Sequence, residues 1–433
     1  MNKPLVLGII VLAAVLLSIN LNKPFIGQHD WNGVVYGQQA KNFFRFGYLP
    51  LKFGATMATA DIPSDDRKYL THYTPVLPVL ISFSYRLFGV SEWSTRLIPI
   101  VASLVSVLLV MMLGKELISS GAGTLAGILM IMTPMFIYYG KNPVHEVVLL
   151  PFALLGFYSY LRWRRSREKK WWKILLLAST AAMLIGWSGY YAMGLIFIHG
   201  ILFQPKEKMK FLQLPLIAVA LLALFLFHAS ILSSQAAGEL RNIFFARLGG
   251  ASIGLIDFLI KELRYSINLF TASLLLLSMI WIFSVIPGPS AVSSGWSNSL
   301  TRNLYKGNTI LLFFLGIFGL AHIMIFRQAA WYHEYLLFPL LPFIAIASAE
   351  VIQRGINQLR SGMAQLIGVT VIILFVAGER LPYAKALLKS EYVRDVYEEA
   401  VEYGKVVKVN PDVIVPIERD VYFIFYADTV RKK

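Results

Sequence analysis

The run Arg96-Leu97-Ile98-Pro99-Ile100-Val101-Ala102-Ser103-Leu104-Val105-Ser106-Val107-Leu108-Leu109-Val110-Met111-Met112-Leu113 decides the fold class. After Arg96 it carries no charge until Lys115. A stretch of about 17–25 apolar residues is long enough for a helix to cross the hydrocarbon core of a bilayer. Similar runs recur along the chain, near 4–20, 121–139, 147–161, 174–187, 189–203, 212–232, 267–286, 309–326, 335–350 and 364–378. One buried helix in a soluble domain could account for one such run but not for the series. The expectation is an all-α polytopic membrane protein of about eleven spans.

Composition agrees. Of 433 residues, 57% are hydrophobic and 15% charged, against about 45–50% and about 25% in soluble domains. The formal charge of +16 collects in runs beside spans, such as Arg162-Trp163-Arg164-Arg165-Ser166-Arg167-Glu168-Lys169-Lys170. Cations there resist translocation and set topology, so nucleic acid is not an expected partner. The chain has no cysteine, which removes disulfides, thiolate metal sites and cysteine nucleophiles. Residues Pro4 to Asn20 lack a small-residue cleavage motif and read as the first span.

Residues 74–89, TPVLPVLISFSYRLFG, are apolar but short, with Pro75, Pro78 and Arg86. If they crossed the bilayer, every later loop would change sides. Lying flat as an amphipathic interfacial helix, they leave the basic loops 162–173, 204–211 and 351–363 together on the cytoplasmic side. The N-terminus then lies inside. A first outer loop covers 21–95, with juxtamembrane helices, and a second covers 233–266. Residues 1–378 form the transmembrane domain, and 379–433 form a small extracytoplasmic α/β appendage. Within it, Tyr383 to Tyr403 reads as helix, and Val413–Ile417 and Val421–Tyr426 as short β runs.

The first outer loop holds more chemistry than a connection needs: Gln28-His29-Asp30-Trp31-Asn32-Gly33, Arg45, Lys52, the acids Asp61, Asp65 and Asp66, and His72-Tyr73-Thr74-Pro75. Asp30 stands just outside the first span, where a carboxylate suits a general base for a hydroxyl. It also precedes the helix-like stretch Val34 to Phe46, so an N-cap fits equally. Glu146, after His145, abuts the apolar run Val147–Leu155. An ionisable group at the hydrocarbon edge is costly and tends to be paired or functional; pairing with Lys141 is the plain alternative. Trp331-Tyr332-His333-Glu334-Tyr335 opens the tenth span, where aromatics are expected at the interface. The adjacent His/Glu pairs, with His29, hint at zinc, but i,i+1 spacing turns neighbours to different helix faces. No metal site or cofactor is assigned, and dependence on a divalent metal stays open. No internal repeat marks a transporter, although a multi-span transporter or lipid flippase is the alternative class.

Three elements, taken with the segment order, resemble the GT-C glycosyltransferases, in particular the family of protein O-mannosyltransferases and aminoarabinose transferases. The first is Asp30 followed by Tyr36, Ala40, Asn42 and Gly47. The second is His72-Tyr73-Thr74-Pro75-Val76-Leu77, then Leu87-Phe88-Gly89-Val90-Ser91-Glu92 and Arg96-Leu97-Ile98-Pro99. The third is His333-Glu334-Tyr335-Leu336-Leu337-Phe338-Pro339-Leu340-Leu341-Pro342. The resemblance covers roughly 1–350. It implies a membrane enzyme moving a sugar from a polyprenyl-phosphate donor to a lipid, glycan or protein acceptor on the outer face, with inversion and no obligatory metal. It implies Asp30 as base and Glu146 as the second acid. Substrate contacts would come from His29, Arg45, Lys52, His72, Tyr73, His145, His333 and Tyr335. Gly33 stands where the aminoarabinose branch has arginine, Tyr73 where it has lysine, and Thr74 where it has proline. Phosphate recognition must therefore differ from that branch.

Overall fold

The computed structural model describes residues 1–58, 68–248, 253–285, 307–409 and 421–427. Each apolar run becomes helix: α1 Lys3–Ser18, α4 Glu92–Leu117, α5 Ser120–Ile131, α6 His145–Ser166, α7 Lys169–Ile185 and α8 Ser188–Phe203. The series continues through the short α9 Lys208–Phe211 to α10 Gln213–Leu232. After the second outer loop come α13 Ala272–Val285, α14 Gly307–Ile325, α16 Leu341–Ile356 and α17 Gly362–Glu379. Among the described residues, five helical stretches are long and apolar enough to cross a membrane, or six if one bent pair counts as a span. The other apolar segments are shorter helices or interrupted ones.

Small residues let the central helices touch. A Cβ on Gly114 of α4 would lie 2.8 Å from the Cα of Gly123 on α5, and one on Gly123 would lie 2.3 Å from the Met111 carbonyl oxygen. Hydrocarbon gives helices no solvophobic reason to associate, so close backbone approach and van der Waals contact supply the attraction. The stretch Glu334–Ile356 is the most enclosed of the candidate spans, 89% buried.

Three expected spans are interrupted, each with a local cause. The one expected over 121–139 stops at Ile131, and Pro134 then opens a single wide π-type turn, Met135–Tyr139. Proline cannot donate the bond that would continue the α-ladder, and such turns concentrate at functional sites. The one expected over 267–286 begins only at α13. Ahead of it α12, Leu255–Phe270, meets α13 at 111°, around Thr271 with its φ of 79°. The tenth opens with a 3-10 stretch, Glu334–Leu340, containing Pro339.

In the first outer loop α2, Trp31–Phe46, packs on α3, Val76–Phe88. The α3 segment is the one expected to lie flat. It has 13 residues, about 20 Å at helical rise, too short to span. It buries Leu77, Ile81 and Tyr85 while Phe83, Leu87 and Phe88 stay exposed. Between them, strands β1 Ala55–Thr56 and β2 Tyr69–Leu70 form a two-stranded antiparallel ribbon. Asn42 fixes this ribbon to α2, donating from Nδ2 to the carbonyls of Thr56 at 2.8 Å and Ala58 at 2.7 Å. Asp61, Asp65 and Asp66 lie outside the described residues. The second outer loop carries α11, Ala236–Leu248, and α12; α15, Arg327–Tyr332, follows α14.

The appendage differs from expectation. The helix expected over Tyr383–Tyr403 is two, α18 Leu381–Lys389 and α19 Arg394–Val409. The run Val421–Tyr426, read as β, contains instead a helical turn, Phe423–Ala427; its alternation of apolar residues serves packing on α19 and α2 rather than a sheet. Val413–Ile417 lies outside the described residues. The turn straps the first outer loop: Phe425 meets Phe25 edge-on at 6.0 Å. The Tyr426 hydroxyl donates to Glu92 Oε1 at 3.1 Å and accepts from the Phe25 amide at 3.0 Å. Phe425 is buried, and deleting a buried aromatic ring costs about 3–5 kcal/mol. Phe425→Ala is therefore expected to speed amide exchange in α19 on the order of 100-fold or more. Unchanged exchange there would show that the strap carries no stability.

Candidate functional site

The site grows from the turn that ends the first span. Asp30 occupies the N-cap position of α2 but makes no side-chain cap. Its Oδ2 instead accepts from the Gly27 amide at 2.9 Å and faces Arg96 Nη2 at 3.7 Å. Arg96 is itself fixed, donating to the carbonyls of Leu21 at 2.8 Å and Lys23 at 2.5 Å, with its guanidinium 4.5 Å over the Phe25 ring. Asp30 thus lines a small cavity with Lys23, Arg96, Tyr138, Lys141 and Asn142. Burial, and next the charge of Arg96, push the Lys141 ammonium down to about 7 against the opposing pull of Asp30.

His29, one residue before, has a φ of 56°, a left-handed conformation uncommon outside glycine. Strain of that kind persists where surroundings over-determine it, and here Glu334 does so. Glu334 Oε2 lies 2.8 Å from His29 Nε2, while its Oε1 accepts from the Tyr139 hydroxyl at 2.7 Å and from Gln28 Nε2 at 3.1 Å. The rings of His333 and Tyr335 stand 5.5 and 5.3 Å from His29. Burial, then the neighbouring His29 and Arg247, push His333 down to about 4. It is an uncharged imidazole at neutral pH.

The third group lies around Glu146, which is 4% exposed. Its neighbour His145 meets the Tyr36 hydroxyl at 3.2 Å through Nδ1 and stacks on Tyr73 at 4.2 Å. Arg247, arriving from α11, donates to the Tyr73 hydroxyl at 2.7 Å. Tyr36, Tyr73 and Tyr335 all feel the charge of Glu146. His72 is pushed down to about 4 by burial and next by Arg247, so it can offer hydrogen bonds but not charge at neutral pH. The pairing of Glu146 with Lys141 is not found; Lys141 donates to the Ile19 carbonyl instead.

These groups share one end of the helix bundle. Asn142 Nδ2 donates to the His29 carbonyl at 3.3 Å, and Tyr36 stands about 9 Å along α2 from Asp30. The Asp30 turn and the Glu146 turn are therefore neighbours. His29, His72, Tyr73, His145, His333 and Tyr335 join them. Arg45 and Lys52 do not. Arg45 sits at the other end of α2, about 22 Å from Asp30 at helical rise. Lys52 is exposed in the loop after α2, its carbonyl accepting from His228 at 2.7 Å. Basic side chains in a polar loop look alike in sequence, and helix length alone separates these two from the acids. Conversely, Arg96, Tyr139, Lys141, Arg247 and Glu334 belong to the site and were not among the expected site residues. Nothing local distinguishes Arg247 from Arg241 on the same helix; only the fold turns one to Tyr73 and leaves the other exposed. Among the described residues, no three or more of His, Asp and Glu are grouped to hold a metal ion.

The fold has counterparts among solved structures. In the crystal structure of ArnT from Cupriavidus metallidurans bound to undecaprenyl phosphate, the match covers 99% of this chain and 85% of that one, with a TM-score of 0.67 at 16% identity. The chain has the GT-C fold. The Archaeoglobus fulgidus oligosaccharyltransferase in its apo form matches over 95% of this chain and 59% of its own, with a TM-score of 0.62 and 13% identity. AglB of the same organism, in complex with an inhibitory peptide and a dolichol-phosphate, matches at 0.59 and 14% identity, over 92% and 58%. This chain thus spans little more than half of the archaeal proteins. The family model of dolichyl-phosphate-mannose-protein mannosyltransferases matches residues 72–232. No curated protein matches the chain. In this GT-C chain, as the helix order requires, the polar cluster lies where α2, α6 and the 3-10 opening of α16 converge.

The depressed Lys141 gives a test with a defined sign. The unfolded chain holds this proton up to about 10.5, the folded chain only to about 7. Between those values the unfolded state binds more protons, so this group makes stability rise with pH across that window. The unfolding midpoint of the parent relative to Lys141→Met should therefore climb from pH 7 to 10. A flat difference would place Lys141 in water, and a falling one would mean that the fold raises rather than lowers its pKa.

Proposed function

We propose that this protein transfers a sugar from a polyprenyl-phosphate carrier to an acceptor hydroxyl at the extracytoplasmic face of the cell membrane, with inversion at the anomeric carbon. One observation carries the reading: Arg247 reaches from the second outer loop to bond Tyr73 of the first, which stacks on His145, the neighbour of Glu146 in sequence. A half-buried guanidinium close enough to feel the charge of Glu146 suits a reaction that starts and ends with charge on phosphate. The relatives agree in chemistry, since the structures carry undecaprenyl phosphate or dolichol-phosphate. An acceptor peptide is tethered to the archaeal oligosaccharyltransferase in another.

In the proposed step, the acceptor oxygen attacks the anomeric carbon as the bond from that carbon to the phosphate oxygen breaks. The acceptor proton passes to Asp30, whose attachment to the Gly27 amide and Arg96 holds it in place. The electron pair leaves on the lipid phosphate, which Arg247, Tyr73 and neutral His72 receive. Glu146 orients the sugar or acceptor from the opposite side. Arg247 supplies the cation that position 73 lacks, which accounts for tyrosine there. In this reading the N-terminus lies in the cytoplasm, with the first large loop and the tail outside. A membrane-embedded domain over 1–378 carries the chemistry.

The test is transfer of labelled sugar from a polyprenyl-phosphate donor by purified protein in nanodiscs. Asp30→Asn should lower turnover about 10²–10⁴-fold, the range for a general base, with donor affinity retained. Arg247→Ala should weaken donor binding by about tenfold or more. Full activity in Asp30→Asn removes it as base. Passage of donor across vesicles without any transfer would favour a transporter.

A further inference from the structure

A cleft of about 980 Å³ is separate from the acid cluster and opens beside it. One wall is α12, which presents Lys261, Arg264 and Tyr265; α15 contributes Gln328 and Trp331, and α18 contributes Tyr383. Trp331 stands two residues before His333, and the Tyr265 hydroxyl bonds its carbonyl at 3.4 Å. The cleft and the His29–Glu334 pair therefore share one short stretch of chain.

Its lining is chemically uneven. Lys261 Nζ stacks 4.1 Å over the Trp331 ring and 5.5 Å from that of Tyr265, so it sits among aromatics with no carboxylate within 4 Å among the described residues. Arg264, one turn on, lies on the same helix face, is exposed, and has no ion pair among the described residues. Asp257 is the carboxylate of the lining, leaving an excess of positive charge. Gln328 Oε1 is buried without a hydrogen-bond partner, and an unmet acceptor at a cleft wall costs about 1–3 kcal/mol. Flat aromatic faces, a carbonyl oxygen awaiting a donor, and surplus guanidinium and ammonium groups together define a ligand. It has ring surfaces to stack, hydroxyl groups to donate, and a negative charge.

We propose that this cleft is the acceptor subsite and takes an anionic saccharide, one bearing carboxylate or phosphate substituents; the acceptor role rests on the sugar-transfer reading above. A saccharide lying on Trp331 and Tyr265 donates a hydroxyl to Gln328 and places its charged group between Lys261 and Arg264. Its far end then points along α15 toward His333 and the two acids. A peptide acceptor would use the same volume but leave the cations unmatched.

The experiment uses the full chain in nanodiscs without donor, and measures binding of an oligogalacturonate, a neutral hexose oligomer of equal length, and a serine- and threonine-containing peptide. The oligogalacturonate is expected to bind at least about tenfold tighter than either other probe, and to weaken with added salt. Arg264→Gln should remove about tenfold of that affinity. Gln328→Glu, which sets a like charge in the wall, should do the same in case the arginine change disturbs α12. Equal binding of the neutral oligomer, preference for the peptide, or indifference to both substitutions overturns the assignment. Undecaprenyl phosphate binding by the parent chain is measured beside it. Lipid-phosphate binding without oligogalacturonate binding defeats this subsite alone. Oligogalacturonate binding without lipid-phosphate binding defeats the transfer reading and, with it, the acceptor role.

Discussion

A single buried carboxylate, that of Glu334, ties together three parts of the chain that sequence keeps far apart. It is 3% exposed, and a charge removed from water in this way is tolerated only when its lone pairs are filled. His29 and Gln28 come from the first outer loop, and Tyr139 from the wide turn after α5. Each of those donors is positioned by a local irregularity: the left-handed backbone at His29, and the proline-initiated turn that aims Tyr139 inward. Without the carboxylate, neither irregularity would have a partner to hold it. With it, the turn bearing Asp30 is fixed against the two spans that border the site.

Around this anchor, charges are arranged in layers rather than scattered. Arg96 and Lys141 accompany Asp30, and Arg247 accompanies Tyr73 near Glu146. The imidazoles of His72 and His333 are kept neutral by burial, so they add no charge to that of Arg96 and Arg247. Guanidinium is less strongly hydrated than ammonium and keeps its proton when enclosed. Membrane-spanning helices serve as a stiff frame, while α2, α11 and α12 in the connecting loops bring polar side chains to it. Sites held on rigid elements keep their geometry better than sites on free loops.

The helical turn of the appendage packs against the loop that carries Asp30. Phe425 and Tyr426 close over Phe25, the ring beneath Arg96, so the last described segment of the chain steadies the first acid from behind. On α12, Leu259 and Leu263 form an exposed apolar side. Its polar side faces the cleft with Trp331.

Much was legible in the sequence because burial in lipid imposes a one-dimensional rule: every backbone polar group must be bonded within its own helix, so spans appear as long uncharged runs. The helical segments, the shortness of α3, and the acids Asp30 and Glu146 at apolar boundaries follow from that rule and local composition alone. Span ends were less legible where a proline or the bend at Thr271 broke the helix, since hydropathy averages over such points. The partners of the acids were not legible at all. Arg96, Arg247 and Glu334 look like other charged residues in their neighbourhoods, and Arg45 and Lys52 looked just as suitable. Hydrophobicity is a property of a residue and its near neighbours, whereas the pairing of charges depends on which helices touch. That was decided only by tertiary packing, through close approaches such as Gly114 against Gly123.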